Sequence, residues 1–153
     1  MKKSILAILL IFFNMYLFAQ PSNFIIDKEG IFNTEEIKQI DSVLQAGYKL
    51  TGNFIGIYTD TADVSIESFG EKVVTLFRTS INDNAYSFIL MMSRHHGLIF
   101  ATVNKMTAPY TSQQLLVALI QSGTKALANK ELTKGVLQIC SNALLLLNLL
   151  PKQ

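Results

Sequence analysis

Two short, unbroken apolar runs, YSFILMM at residues 86–92 and LIFATV at residues 98–103, are separated only by SRHHG. Each has the length of a strand, and continuous rather than alternating apolar runs suit strands covered on both faces. So short a link forces the two strands antiparallel, with Gly97 placed for the positive φ of the turn. The rest of the chain must therefore supply layers that cover a hairpin from both sides. His95 and His96, the only histidines, fall at the hairpin tip. Two neighbouring histidines make a poor zinc site without a third ligand, and Cys140 is remote in sequence. The pair is read as a solvated turn. Asp83 and Asn84 before the first strand, and Asn104 after the second, fall at the opposite end, about 25–30 Å away at ~3.3 Å per residue.

Helical patterns flank this hairpin. In NTEEIKQIDSVLQAGYKL, Asn33 is the predicted N-cap, Glu36 completes a capping box, and Phe32 and Ile37 staple the first turn. Ile37, Ile40, Val43, Leu44 and Leu50 recur at helical spacing. Gly52 ends that helix, and NFIGIYT is a short strand. SIESFGEKVVTLFR predicts a second amphipathic helix carrying Ile66, Phe69, Val73, Val74, Leu76 and Phe77. TSQQLLVALIQSGTKAL repeats the capping pattern, with Thr111 as N-cap, Gln114 three residues on, and Tyr110 and Leu115 as staple. A final helix is predicted over residues 132–149, with Pro151 beyond its end. Its ALLLLNLL invites a membrane-spanning reading, but Gln138, Ser141, Asn142 and Asn148 interrupt it. Length favours a helix buried against the sheet, with an exposed apolar face for a partner or a membrane surface as the alternative. The order is helix, strand, helix, strand, strand, helix, helix. It predicts an α/β fold: a three-layer α/β/α sandwich with a small mixed sheet, a central β-hairpin and helices on both faces.

The first twenty residues stand apart. MKKSILAILLIFFNMYLFAQ has Lys2 and Lys3, an apolar stretch over residues 5–18 and then Ala19, which is the layout of a secretory signal peptide cleaved after residue 19. An uncleaved membrane anchor is the rival reading, although the stretch is short for a span. The chain thus divides into a signal peptide, residues 1–19, and a single domain, residues 20–153, and is expected to be periplasmic or extracellular. Without Lys2 and Lys3, eleven basic residues face eleven acidic ones. A neutral domain without a basic stripe is not built for nucleic acid, and has no strong electrostatic attraction to a membrane surface. Cys140 is the one cysteine, so no internal disulfide forms; its apolar surroundings in GVLQICSNALLLL mark it as a buried, inert thiol.

The end of the sheet away from the histidines holds the candidate chemistry. If the segment before the first helix approaches that end, Asp27, Asp83, Asn84 and Asn104 converge. Oxygen ligands of that kind suit Ca²⁺ or Mg²⁺. Asp27 as a turn residue, and Asp83 and Asn84 as an ordinary loop before a strand, is the competing reading. No GxSxG, Walker loop, GxGxxG or CxxC is present.

At these residues, and over about residues 24–147, the chain resembles the TPM-domain family, whose founding members include photosystem II repair proteins. IDKEGIFNTEE supplies Asp27, Phe32, Asn33, Glu35 and Glu36 of that family's opening pattern. Thr51 and Gly52 stand before the first strand. Ile66, Glu67 and Phe69 match an I-E-x-F helix, with Gly70 where the family has Ala. Asp83, Asn84 and Ala85 stand for its D-N-G, and Gly135 and Val136 for its final G-L helix. The resemblance implies an α/β/α sandwich exported to, or anchored in, an envelope or lumen. It further implies either an acid phosphatase holding divalent metal through acidic residues or an assembly factor for membrane complexes. The chain departs from the pattern at Lys28, in place of a second Asp, at Ala85, and in NKMTAPY, which lacks a carboxylate. Fewer carboxylates weaken the hold on a hard cation. The cations available to clamp a phosphoryl group, Lys28, Arg78 and Lys105, read more readily as ordinary surface charges. The expectation is a non-catalytic binding or assembly module of the cell envelope, with an eroded metal site at Asp27, Asp83 and Asn84 and an envelope protein as partner. A weak divalent-metal-dependent acid phosphatase is the alternative.

Overall fold

The hairpin forms where the apolar runs place it. In a computed structural model that describes residues 24–61, 72, 73, 75–77, 80, 81 and 84–151, β3 (Ser87–Ser93) pairs antiparallel with β4 (Leu98–Val103). Gly97 takes a φ of 61° at the turn, a conformation that costs glycine little. The remaining strands are β1 (Ile25–Asp27) and β2 (Phe54–Thr59). The sheet order is β1-β2-β3-β4, with β1, β2 and β3 mutually parallel. The strand β1 is absent from the order read in the sequence. Three residues are too few to show a period.

Every residue of β2 and β3 is buried, whereas β4 is half-exposed throughout and Leu98 is exposed. The expectation that both hairpin strands are covered on both faces holds for β3 only. β4 is an edge strand, and its apolar residues line a groove of about 400 Å³ under a neighbouring helix instead of a closed core.

Three helices make one layer: α1 (Thr34–Thr51), α2 (Gln113–Ala128) and α3 (Leu132–Leu149). α1 lies on β2, α2 on β4, and α3 between them, touching β2, β3 and both other helices. Asn33 caps α1 with the full capping box: its side chain accepts from the Glu35 and Glu36 N–H groups, and the Glu36 carboxylate accepts from the Asn33 N–H. Gly52, at φ 73°, terminates it in the left-handed region. α2 is capped by Ser112, whose hydroxyl accepts from the Leu115 N–H. This corrects the predicted Thr111 cap, because residues 108–110 form a 3₁₀ turn and the Thr111 hydroxyl turns back to the Thr107 carbonyl. α3 spans the predicted residues. Val136, Ile139, Cys140, Ala143 and Leu147 form its buried stripe, so this helix, long and apolar enough to cross a membrane, is a core element on one side. Glycines let the helices approach closely: a Cβ on Gly123 of α2 would run into the Gly135 carbonyl of α3.

The connection between β2 and β3 adds further cover to the sheet. Val73 and Phe77 are buried and joined by a helical hydrogen bond, and the Phe77 ring lies over Gly56. Much of the second predicted helix, including Ile66, Glu67, Phe69 and Gly70, lies outside the described residues, as do residues 1–23. The observed class is the predicted one, a small α/β domain with a four-stranded mixed sheet and helices packed on it.

Candidate functional site

Strand direction decides which polar residues meet. Because β1, β2 and β3 are parallel, with Asp27 opposite Thr59 and Thr59 opposite Met92, Asp27 stands at the same rim as the hairpin tip. Asn84 precedes the other end of β3, some 20 Å away along a seven-residue strand at ~3.3 Å per residue. The expected convergence of Asp27 with Asn84 and Asn104 is therefore not formed. Asp83 lies outside the described residues.

At the tip rim, the Asp27 carboxylate works as a loop anchor. Its Oδ1 accepts from the Ile31 N–H at 3.1 Å and from the Thr59 hydroxyl, and its Oδ2 accepts from the Phe32 N–H at 3.0 Å. The buried Thr59 hydroxyl in turn accepts from the Glu29 N–H. The loop between β1 and α1 is thereby tied across to the end of β2. Glu29 then reaches the hairpin, its two carboxylate oxygens accepting from the Arg94 N–H at 2.9 Å and the His95 N–H at 2.6 Å. His96 Nε2 lies 2.9 Å from the Thr61 carbonyl oxygen, and the two imidazoles meet edge to face with centroids 4.8 Å apart. The tip that the sequence left solvated is thus stitched to both neighbouring loops. The pairing of Glu29 with amides 65 and 66 residues away carries no local signal.

Lys28 and Tyr58 complete the rim. The Tyr58 hydroxyl donates to Asp60 at 2.6 Å, Lys28 Nζ lies 3.8 Å from Asp60, and the ammonium stands 5.3 Å from the Tyr58 ring centre. Burial, then the Asp60 hydrogen bond and charge, drive the Tyr58 pKa well above the usual phenol range. Lys28 therefore pairs with Asp60, and the phenol stays protonated as a donor.

The other rim is also locked by its polar groups. Asn104 Nδ2 donates to the Ala85 carbonyl at 2.7 Å, while its Oδ1 accepts from both the N–H and the hydroxyl of Thr107. The Thr107 hydroxyl accepts from the Ser87 N–H. Asn104 does meet the segment at residues 84–85, as the hairpin required, and its side chain closes a loop there. Asn84 is exposed. Among the described residues no group of three or more His, Cys, Asp or Glu side chains is arranged to hold a metal ion. Cys140 is buried, and burial raises its thiol pKa from 9.0 to about 12, so it is not a nucleophile at neutral pH.

The frame itself has known counterparts. The fold is similar to the BA42 protein of the psychrophilic bacterium Bizionia argentinensis, with a TM-score of 0.68, 12% identity, 82% of this chain and 88% of that one covered. It is similar to the N-terminal domain of a P. gingivalis protein, at 0.67, 14% identity and 83% of each chain. The N-terminal domain of the cg2496 protein from Corynebacterium glutamicum gives 0.59 and 12% identity, over 88% of this chain and 86% of that one. No protein family matches the chain by its sequence profile, and no curated protein matches it by sequence. At such identities the likeness establishes the fold, that of small bacterial domains, and nothing about activity.

Proposed function

We propose that this chain is an exported binding or assembly module of the cell envelope, of the TPM type its sequence resembles, and that it works without catalysis. The observation that carries this reading is the use made of Asp27. Both its oxygens accept intrachain hydrogen bonds, which leaves it engaged as a strut rather than aimed at a ligand. Open α/β sheets present ligands at the carboxyl ends of their parallel strands. Here that rim is closed over by Thr59, Glu29 and the hairpin tip. What it exposes includes Lys28, Arg94 and His95, suited to a polypeptide partner that reads shape and a few hydrogen bonds. The leader at residues 1–19 supports export.

The test has two arms. A photo-crosslinking residue at Arg94 in cells is expected to capture one defined envelope protein, lost on Glu29→Ala, while a crosslinker at Lys125 captures none. Purified chain is expected to give no heat with Ca²⁺ or Mg²⁺ and no hydrolysis of an aryl phosphate above a no-protein blank. Chelator-sensitive hydrolysis abolished by Asp27→Asn would establish the phosphatase instead.

A further inference from the structure

The rim away from the histidines carries the most exposed large apolar side chains among the described residues. α1 and α3 run side by side in the same direction: the Thr133 hydroxyl donates to Glu36 near their starts, and Gly47 lies against Leu144 near their ends. Their last turns therefore finish together and present Leu50 at 85%, Leu149 at 82% and Leu145 at 64% exposure. Three leucines so bare on one edge have no role in the core. Such a cluster marks an interaction surface.

Two observations name the occupant. The first is where the remaining chain attaches. The described chain begins at Phe24, whose ring packs on Tyr48 and Phe54 at 5.8 and 5.4 Å, two residues before Leu50. The apolar leader ends at Phe18, so six peptide steps, about 20 Å at most, separate it from this edge. Where the leader is kept, a link of that length holds the domain with the leucine edge nearest the bilayer. The second is charge. Of the carboxylates among the described residues, Asp27, Glu29, Glu35, Glu36, Asp60 and Glu131 all stand at the histidine rim or at the starts of α1 and α3, and Asp41 in the first half of α1. Lys49 stands next to Leu50 in the last turn of α1, and Lys105 follows the end of β4 at the same rim. An apolar edge flanked by lysines fits the boundary between headgroups and acyl chains.

We infer that Leu50, Leu145 and Leu149 seat the domain on a lipid bilayer, with the histidine rim pointing away from it. This goes beyond the binding-module reading and does not depend on what the histidine rim binds. The full chain is reconstituted in phosphatidylcholine vesicles with and without phosphatidylglycerol. An environment-sensitive fluorophore is attached at Leu149→Cys in one preparation and His95→Cys in another, the native Cys140 being too buried to react. The fluorophore at 149 is expected to be quenched several-fold more by a lipid-borne quencher than that at 95, and more strongly with the anionic lipid. Leu50→Glu with Leu145→Glu, both at exposed positions, should bring 149 down to the level of 95 with far-UV circular dichroism unchanged. Equal quenching at the two positions would overturn the inference, since the leader alone would then hold the chain. So would a double variant that keeps position 149 buried in lipid.

Discussion

Replacing Asp27 by Asn removes one charge and one acceptor with almost no change in shape, which makes it a sharp probe of the strut. Three donors converge on this carboxylate: the Ile31 and Phe32 N–H groups and the Thr59 hydroxyl. Ile31, Phe32 and Thr59 are all buried. An amide cannot serve them all, because its NH₂ must face one of the donors. Leaving one partly buried donor unpaired, together with losing charge-assisted hydrogen bonds, costs about 2–3 kcal/mol. Asp27→Ala, which strands all three donors, costs about 3–5 kcal/mol. At a typical urea slope the Asn variant lowers the unfolding midpoint by about 1–2 M. Saturating Ca²⁺ should leave the wild-type midpoint in place, since a ligand bound only by the native state would raise it. An Asn variant within about 0.3 M of wild type, or a midpoint that climbs with Ca²⁺, would refute the strut and restore Asp27 as a ligand.

Gly123→Ala sets a new methyl against the Gly135 carbonyl and Ile139, and a backbone obstacle cannot rotate away. Overpacking should outweigh the gain in helix propensity and destabilise the domain by about 1–3 kcal/mol in thermal unfolding. Glu29→Gln keeps one acceptor and Glu29→Ala keeps none, so hydrogen exchange at the Arg94 and His95 amides is expected to rise about tenfold in the Ala variant, with α1 unchanged. Cys140, protonated to about pH 12 when folded, ionises earlier once unfolded. The unfolded state then binds fewer protons between about pH 9 and 12, and stability falls by up to about 1.4 kcal/mol per pH unit as pH rises through that window. Cys140→Ala should flatten that slope in denaturation curves, and a slope equal to wild type would exclude the thiol as its source.

What can be read along the chain is what short-range contacts dictate. The Asn33 capping box closes within four residues, Gly52 and Gly97 stop a helix and turn a hairpin by their own backbone freedom, and the buried stripe of α3 repeats with the helical period. The fold class followed from these. Periodicity was less informative at edges: Val43 and Leu50 keep step with Ile40 and Leu44 yet are exposed, since spacing gives a helix's apolar side but not how far its neighbour reaches across it. The candidate site was misplaced for a related reason. Its position depends on the direction in which three residues, Ile25–Asp27, join the sheet, and nothing within those residues encodes a direction.

The sequence by itself determined α1, α2, α3 and the hairpin, because each rests on hydrogen bonds or side-chain periods closed over a few residues, whereas the sheet order decided that β3 is buried and β4 is an edge. Only the tertiary structure decided that β1 runs parallel to β2. Parallel pairing joins residues some thirty positions apart, and it carries Asp27 and Glu29 to the histidine rim, where their carboxylates hold loops together.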